Sequence, residues 1–280
     1  MQKFMVNRFI DGLRNILLAG TLMAAPKTIA VEPTRILRTP QGNLEKVVDV
    51  PNETGVLVHV RQKHLIPYLE SSAKYKLDSM ERKDEEKTTM DLFKDAIIAL
   101  DFSPRVLRSV NNCQRQIYKF IQGERVERIY AEGIQFGRGL SPEEAKKSFV
   151  LVHSLLVAVQ DLEKREKSVE KYFFCPGAVY LLAKAGTGVV GVDVSKKERT
   201  LGLEKLSLGD SSEIMQERES KATSYVLGDA EGERYRILIY GADHEFKDDV
   251  EKWNKEHLDQ QYDFATFTPK ELIEVNLETK

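Results

Sequence analysis

Cysteine is scarce in this 280-residue chain, and its scarcity excludes several architectures. Cys113 and Cys175 lie far apart with no Cys-x-x-Cys partner, so neither a zinc knuckle nor a dithiol redox motif can be built from them. They read as two buried thiols. An excess of charge of one sign is also missing. The 42 Lys and Arg are interspersed among 44 Asp and Glu, which leaves no basic stripe for a phosphate backbone and argues against nucleic acid as a partner. No internal repeat is visible. What remains, 41% hydrophobic and 31% charged residues, describes a soluble globular chain with enough apolar material for one sizeable core.

The first thirty residues stand apart. Lys3, Arg8 and Arg14 make a basic start, residues 16–25 form an apolar run, and Pro26 ends it. Thr28-Ile29-Ala30 then offers small residues at a cleavage spacing, so residues 1–30 read as a signal peptide. The run is about half the ~20 residues needed to cross a bilayer, so no spanning segment is expected after cleavage. Removing Lys3, Arg8, Arg14, Lys27 and Asp11 leaves 38 bases and 43 acids in a mildly acidic mature protein. Export to a periplasmic or extracellular space follows, with residues 31–280 as one domain. The competing reading is an amphipathic N-terminal helix on Phe4, Phe9, Leu13 and Ile16 in a cytoplasmic protein.

Strand-like and helix-like segments then alternate, the pattern of an α/β fold with helices flanking a central, mainly parallel sheet. Five strands are predicted, at residues 55–60 (GVLVHV), 129–131, 189–194, 235–240 and 264–267. Helices are predicted over 106–122, 141–166, 177–184, 211–227 and 246–257. The first carries Val106, Val110, Cys113, Ile117 and Phe120 on one face. Ser141-Pro142-Glu143-Glu144 gives the second a capping serine, a first-turn proline and two acids at the positive end of the dipole. Residues 71–94, rich in Lys, Glu, Asp and Met, read as a charged helical insertion, and 198–210 as a polar connection.

In open α/β sheets ligands bind outside the carboxyl ends of the strands, where loops and helix N-termini converge. Four predicted strands end in reactive residues: Arg61-Gln62-Lys63-His64, Glu132-Gly133, Asp193, and Gly241-Ala242-Asp243-His244. Two imidazoles with one or two carboxylates make a ligand set for zinc, manganese or iron, here His64, Glu132 and His244. Such a metal would supply hydroxide near neutral pH. Without one, the same groups can act as general base and acid. His59, His153 and Trp253 read as structural, and Asp243 or Glu245 as caps of the following helix. An ion pair of Glu132 with Arg218 is an alternative to catalysis at those two positions.

In order along the chain, the strand ending at His64, Gln114-Arg115-Gln116-Ile117-Tyr118 on a helix and Tyr130-Ala131-Glu132-Gly133 resemble motifs of the erythromycin-esterase, ChaN and TraB/Tiki superfamily. Val190-Gly191-Val192-Asp193, Arg218-Glu219 and Gly241-Ala242-Asp243-His244 are similar to its later motifs. The resemblance covers residues 55–269. It implies an EreA/ChaN-like fold whose working residues are His64, Glu132, Arg218, Glu219 and His244. Members include hydrolases of esters or peptides, some using a divalent metal, and a branch that binds heme. One departure stands out: where the family pattern reads Gly-Glu-x-His, this chain has Arg61-Gln62-Lys63-His64, which removes a candidate base and adds positive charge that favours an anionic ligand.

These readings converge on a metal-assisted hydrolase of an ester, amide or related bond in a small molecule or peptide. Arg218 would stabilise developing negative charge, Glu219 and Asp193 would orient the other groups, and Arg61, Gln114, Arg115 and Asp193 would contact substrate. The alternative is a binding protein for heme, iron or a small ligand, with Tyr118 or Tyr130 as axial oxygen donor. A third reading is an interaction module recruiting a partner through residues 71–94 and the acidic tail.

Overall fold

The computed structural model describes residues 36–51, 53–63, 104–124, 126–150, 173–174, 177–194, 211–230 and 232–273. The leader, His64, the charged insertion, His153, Cys175, the polar connection and the second helix beyond residue 150 lie outside the described residues.

The described chain is an α/β structure built on one seven-stranded sheet. In chain order it comprises β1 (Ile36–Arg38), β2 (Gly42–Val48), β3 (Gly55–Gln62), α1 (Pro104–Glu124), β4 (Arg128–Gln135), α2 (Ala178–Lys184), β5 (Gly188–Asp193), α3 (Ser211–Gly228), β6 (Tyr235–Gly241), α4 (Lys247–Glu256) and β7 (Tyr262–Pro269). Residues 142–150 are also helical. Across the sheet the order is β1-β2-β7-β3-β6-β4-β5. All pairings from β7 through β3, β6 and β4 to β5 are parallel, while β2 lies antiparallel to both β1 and β7. The sheet is therefore mixed. The five predicted strands form its parallel part, and the β1–β2 hairpin is an addition that the expected mainly parallel five-stranded sheet did not contain.

Local chemistry accounts for these elements. The β-branched run of β3 is buried on both faces, as a central parallel strand requires. Helix 142–150 opens on a reciprocal capping box: the Glu144 N–H donates to Ser141 Oγ at 3.2 Å, and the Ser141 N–H donates to Glu144 Oε2 at 3.0 Å. In α1, Cys113, Ile117, Phe120 and Ile121 face the sheet, packing with Val56, Val58, Val60, Ile129, Ile237 and Ile239. Burial pushes the Cys113 thiol up to about 12, so it is an inert core group. On the opposite face, Ala222, Val226 and Leu227 of α3 and Val250 of α4 pack on Leu57, Tyr130, Leu238 and Phe264.

This division between faces follows from the path of the chain. From β3 it moves outward to β4 and β5, then returns to insert β6 between β3 and β4 and continues past β3 to β7. Right-handed crossovers run in opposite directions place their helices on opposite faces. In such a sheet the ligand crevice lies where the direction reverses, here at the carboxyl ends of β3, β6 and β4.

Candidate functional site

At that crevice β4 carries Glu132, directly after its last pairing with β6 at Ala131. The Glu132 side chain lies on the α3 face, and Gly133 takes a positive φ of 84° that turns the strand out of its register with β5. Glu132 Oε2 accepts the Gly241 N–H at 2.7 Å, and Oε1 accepts Arg218 Nη2 at 2.9 Å. A Cβ at Gly241 would stand 3.2 Å from His244 Cδ2 and 3.4 Å from Glu132 Oε2, so a larger residue there would press on the imidazole. Asp193, at the end of β5, is fully buried and accepts the N–H groups of Gly133 at 3.1 Å and Val194 at 2.8 Å. It also takes a two-pronged bond from Arg218, Nε to Oδ1 and Nη2 to Oδ2, each at 3.1 Å. One guanidinium from α3 thus ties together the ends of β4 and β5. The ion pair foreseen between Glu132 and Arg218 is present. Burial opposes the Arg218 charge, but attraction to Tyr240, Asp193 and Glu132 outweighs it and holds the group above its ordinary range.

The next residue of α3 serves the other half of the site. Glu219 Oε1 lies 2.8 Å from His244 Nδ1 and accepts the Glu245 N–H at 3.1 Å. A carboxylate can only accept, so Nδ1 carries the proton, and in the neutral imidazole Nε2 holds the lone pair. That Nε2 stands 3.9 Å from Glu132 Oε1, in a side chain only 7% exposed. The Tyr240 ring meets the imidazole edge-on at 4.6 Å, and its hydroxyl approaches Asp193 Oδ1 at 3.4 Å. Burial and the carboxylates Asp193 and Glu132 keep that phenol protonated, well above its ordinary range.

Two side chains of β3 border this group. Alternation along the strand puts His59 and Arg61 on the same face, and the His59 ring edge meets Phe246 at 4.8 Å. Burial, followed by the Arg61 charge, lowers His59 to about 3, so it is neutral; it bonds the Tyr240 backbone and its Nε2 is unpartnered. Its structural reading agrees with this placement.

The structure therefore brings together Glu132, Asp193, Arg218, Glu219 and His244, with Arg61 beside them. Gln114 and Arg115 stand elsewhere. Fully buried Gln114 donates to the Lys63 carbonyl at 2.7 Å and to Gln62 Oε1 at 3.3 Å, and accepts the Ala178 N–H at 2.7 Å. It joins β3 to the first turn of α2 on the far side of the sheet, so its amide is engaged in structure rather than offered to substrate. Arg115 is exposed and bonds Asn112 within its own helix at 3.0 Å. Neither tyrosine named as an axial donor faces the site. Tyr130 is buried with its hydroxyl on Asp229, and Tyr118 lies on α1, accepting from Gln122. The helix after β6 has Phe246 at its N-cap with no side-chain cap, so neither Asp243 nor Glu245 fills that role. Sequence reasoning missed Tyr240 and the backbone N–H groups of Gly133 and Gly241. The signal for all three was their position: Tyr240 and Gly241 are the last two residues of β6, and Gly133 directly follows Glu132.

Among the described residues no group of three His, Cys, Asp or Glu side chains is arranged to hold a metal ion, and Arg218 already holds the cationic position between Glu132 and Asp193. His64, the third expected ligand, lies outside the described residues. No helix among them is long and apolar enough to cross a membrane. Comparison with protein-family models, curated proteins and solved structures finds no match.

Proposed function

We propose that the crevice is the active site of a hydrolase acting on an ester, amide or related bond through the acid–base chemistry of His244. The observation that carries this reading is the orientation of the imidazole. Glu219 holds Nδ1–H at 2.8 Å and directs the basic Nε2 toward the Glu132 carboxylate at the strand ends. A base oriented by a third group is the arrangement that activates a nucleophile in acyl transfer. In this scheme Nε2 takes a proton from water as its oxygen bonds to the carbonyl carbon. The proton passes to the leaving oxygen or nitrogen as that bond to carbon breaks. Glu132, fixed by Arg218 and the Gly241 N–H, lies where it stabilises the transient imidazolium. Arg218 acts as a positioning residue for the two strand-end carboxylates. The superfamily resemblance noted above supports hydrolysis as the reaction class.

Steady-state hydrolysis of a panel of 4-nitrophenyl esters and anilides tests the proposal. His244→Ala is expected to lower kcat by about 100- to 10,000-fold. Glu219→Gln, which frees the ring to adopt the other tautomer, is expected to lower kcat by about 100-fold or more with little change in KM. Turnover by His244→Ala equal to that of the parent protein would overturn the proposal.

A further inference from the structure

Among the described residues, Arg61 at the crevice has no ion-pair partner. Its Nε is buried and has no hydrogen-bond partner. Three other buried or half-buried cations are matched: Arg218 by two carboxylates, Lys46 by Asp49 and Asp263, and Arg236 by the Val226 and Asp229 carbonyls. A buried donor left unsatisfied costs about 1–3 kcal/mol, more when charged, so such a group signals a missing acceptor. Its position indicates which acceptor. Arg61 sits on β3 opposite Tyr240 of β6, one residue short of the Gln62–Gly241 pairing that closes the parallel ladder. Glu132 lies on the strand beyond β6. Strands are spaced about 5 Å apart, so β3 and β4 are about 10 Å apart, and an arginine side chain spans much of that gap. Arg218 is occupied with Glu132 and Asp193, whereas Arg61, whose Nε is buried without a partner, is open to an incoming anion.

From this geometry we infer that Arg61 binds an anionic group of the substrate, a carboxylate or phosphate lying a few bonds from the scissile carbonyl. The inference rests on the hydrolase reading for the word substrate, but the anion site is testable without turnover. Planar guanidinium nitrogens match either group in a two-pronged bond. The neutral ring of His59 beneath Arg61 adds no competing charge. The chain has Arg61 and Gln62 where the resembling family has Gly and Glu, so this specificity belongs to the chain itself.

The test has two independent readouts on the full chain. Calorimetric titration with succinate and with inorganic phosphate is compared between the parent protein, Arg61→Ala, Arg61→Lys and Lys147→Ala, the last removing an exposed charge on the opposite face of the sheet. Arg61→Ala is expected to weaken binding of the preferred anion by about 10- to 100-fold, Arg61→Lys by less, and Lys147→Ala not at all. Tighter succinate than phosphate assigns a carboxylate substrate, and the reverse a phosphorylated one. In parallel, Arg61→Ala should raise KM for mono-4-nitrophenyl succinate by at least about tenfold more than for neutral 4-nitrophenyl butyrate. Arg61-dependent anion binding without hydrolysis of either ester would uphold the anion site and overturn the hydrolase reading. His244-dependent hydrolysis with anion binding equal in Arg61→Ala and the parent would do the opposite. Arg61→Lys retains the charge, so a folding failure of the alanine variant leaves the comparison intact.

Discussion

Arg218 shows how far one side chain can determine the geometry of a crevice. Its guanidinium joins α3 to the ends of β4 and β5 and compensates two carboxylates, one of them fully buried. Breaking a buried pair by removing one partner costs more than the pair contributes, because the remaining charge is stranded. Arg218→Gln is therefore expected to destabilise the fold by about 3–5 kcal/mol, read as a lowered midpoint in urea unfolding. The double variant Arg218→Gln, Glu132→Gln should recover part of that loss, since it leaves fewer stranded charges. If the single variant unfolds at the parental midpoint, Arg218 does not hold the strand ends. At this scale the sequence was informative where chemistry and position coincide. Glu132, Asp193 and His244 each stand at or just beyond a strand end, and the Arg218-Glu219 pair was identifiable through the family resemblance. The partners of Gln114 were not legible, because a polar residue between apolar helix positions resembles a ligand contact when its partners are unknown. Those partners, the Lys63 carbonyl and the Ala178 N–H, lie about 50 and 64 residues away.

Among the elements, β3 and β6 were legible because each is a short run with β-branched residues buried on both faces, with no periodicity to confuse it with a surface helix. The β1–β2 hairpin was not. β2 is only partly buried, with Leu44 as its one buried large apolar side chain, and its Lys and Glu dilute the alternation. The turn did carry a signal: in Thr39-Pro40-Gln41-Gly42 the Thr39 N–H donates to the Gly42 carbonyl at 2.7 Å, and the Gly42 N–H donates back to the Thr39 carbonyl at 3.3 Å. Gln114 connects elements that are otherwise independent, supplying the first-turn N–H of α2 with an acceptor from α1. That helix has no side-chain cap of its own at Gly177. Gln114→Leu, close in volume but without the amide, is expected to cost about 2–4 kcal/mol through the stranded Ala178 N–H and Lys63 carbonyl. Hydrogen exchange should show α2 losing protection first. Unchanged protection at residues 178–184 would remove Gln114 from this role.

The whole molecule depends on a chain path that reverses direction between β5 and β6, which places Phe246, just before α4, against His59 of β3. His59 lies at that junction, 1% exposed and against Phe246, so its ionisation couples to global rather than local stability. In the folded protein burial and the Arg61 charge lower it from 6.5 to about 3, while in the unfolded chain it titrates near 6.5. The unfolded state thus binds the extra proton first. The contribution is fully present above about pH 6.5 and is lost progressively as pH falls from there toward about 3, on the order of 1 kcal/mol per pH unit. Carboxylates also titrate in this range, so the informative quantity is the difference from His59→Leu, which removes the ionisable ring at similar volume. Urea midpoints measured from pH 7 to pH 4 should fall more steeply in the parent protein than in the variant, the two curves converging or crossing toward the acid end. Parallel curves would mean that His59 is accessible to protons in the folded state, and hence that the interface between β3 and Phe246 opens at little cost.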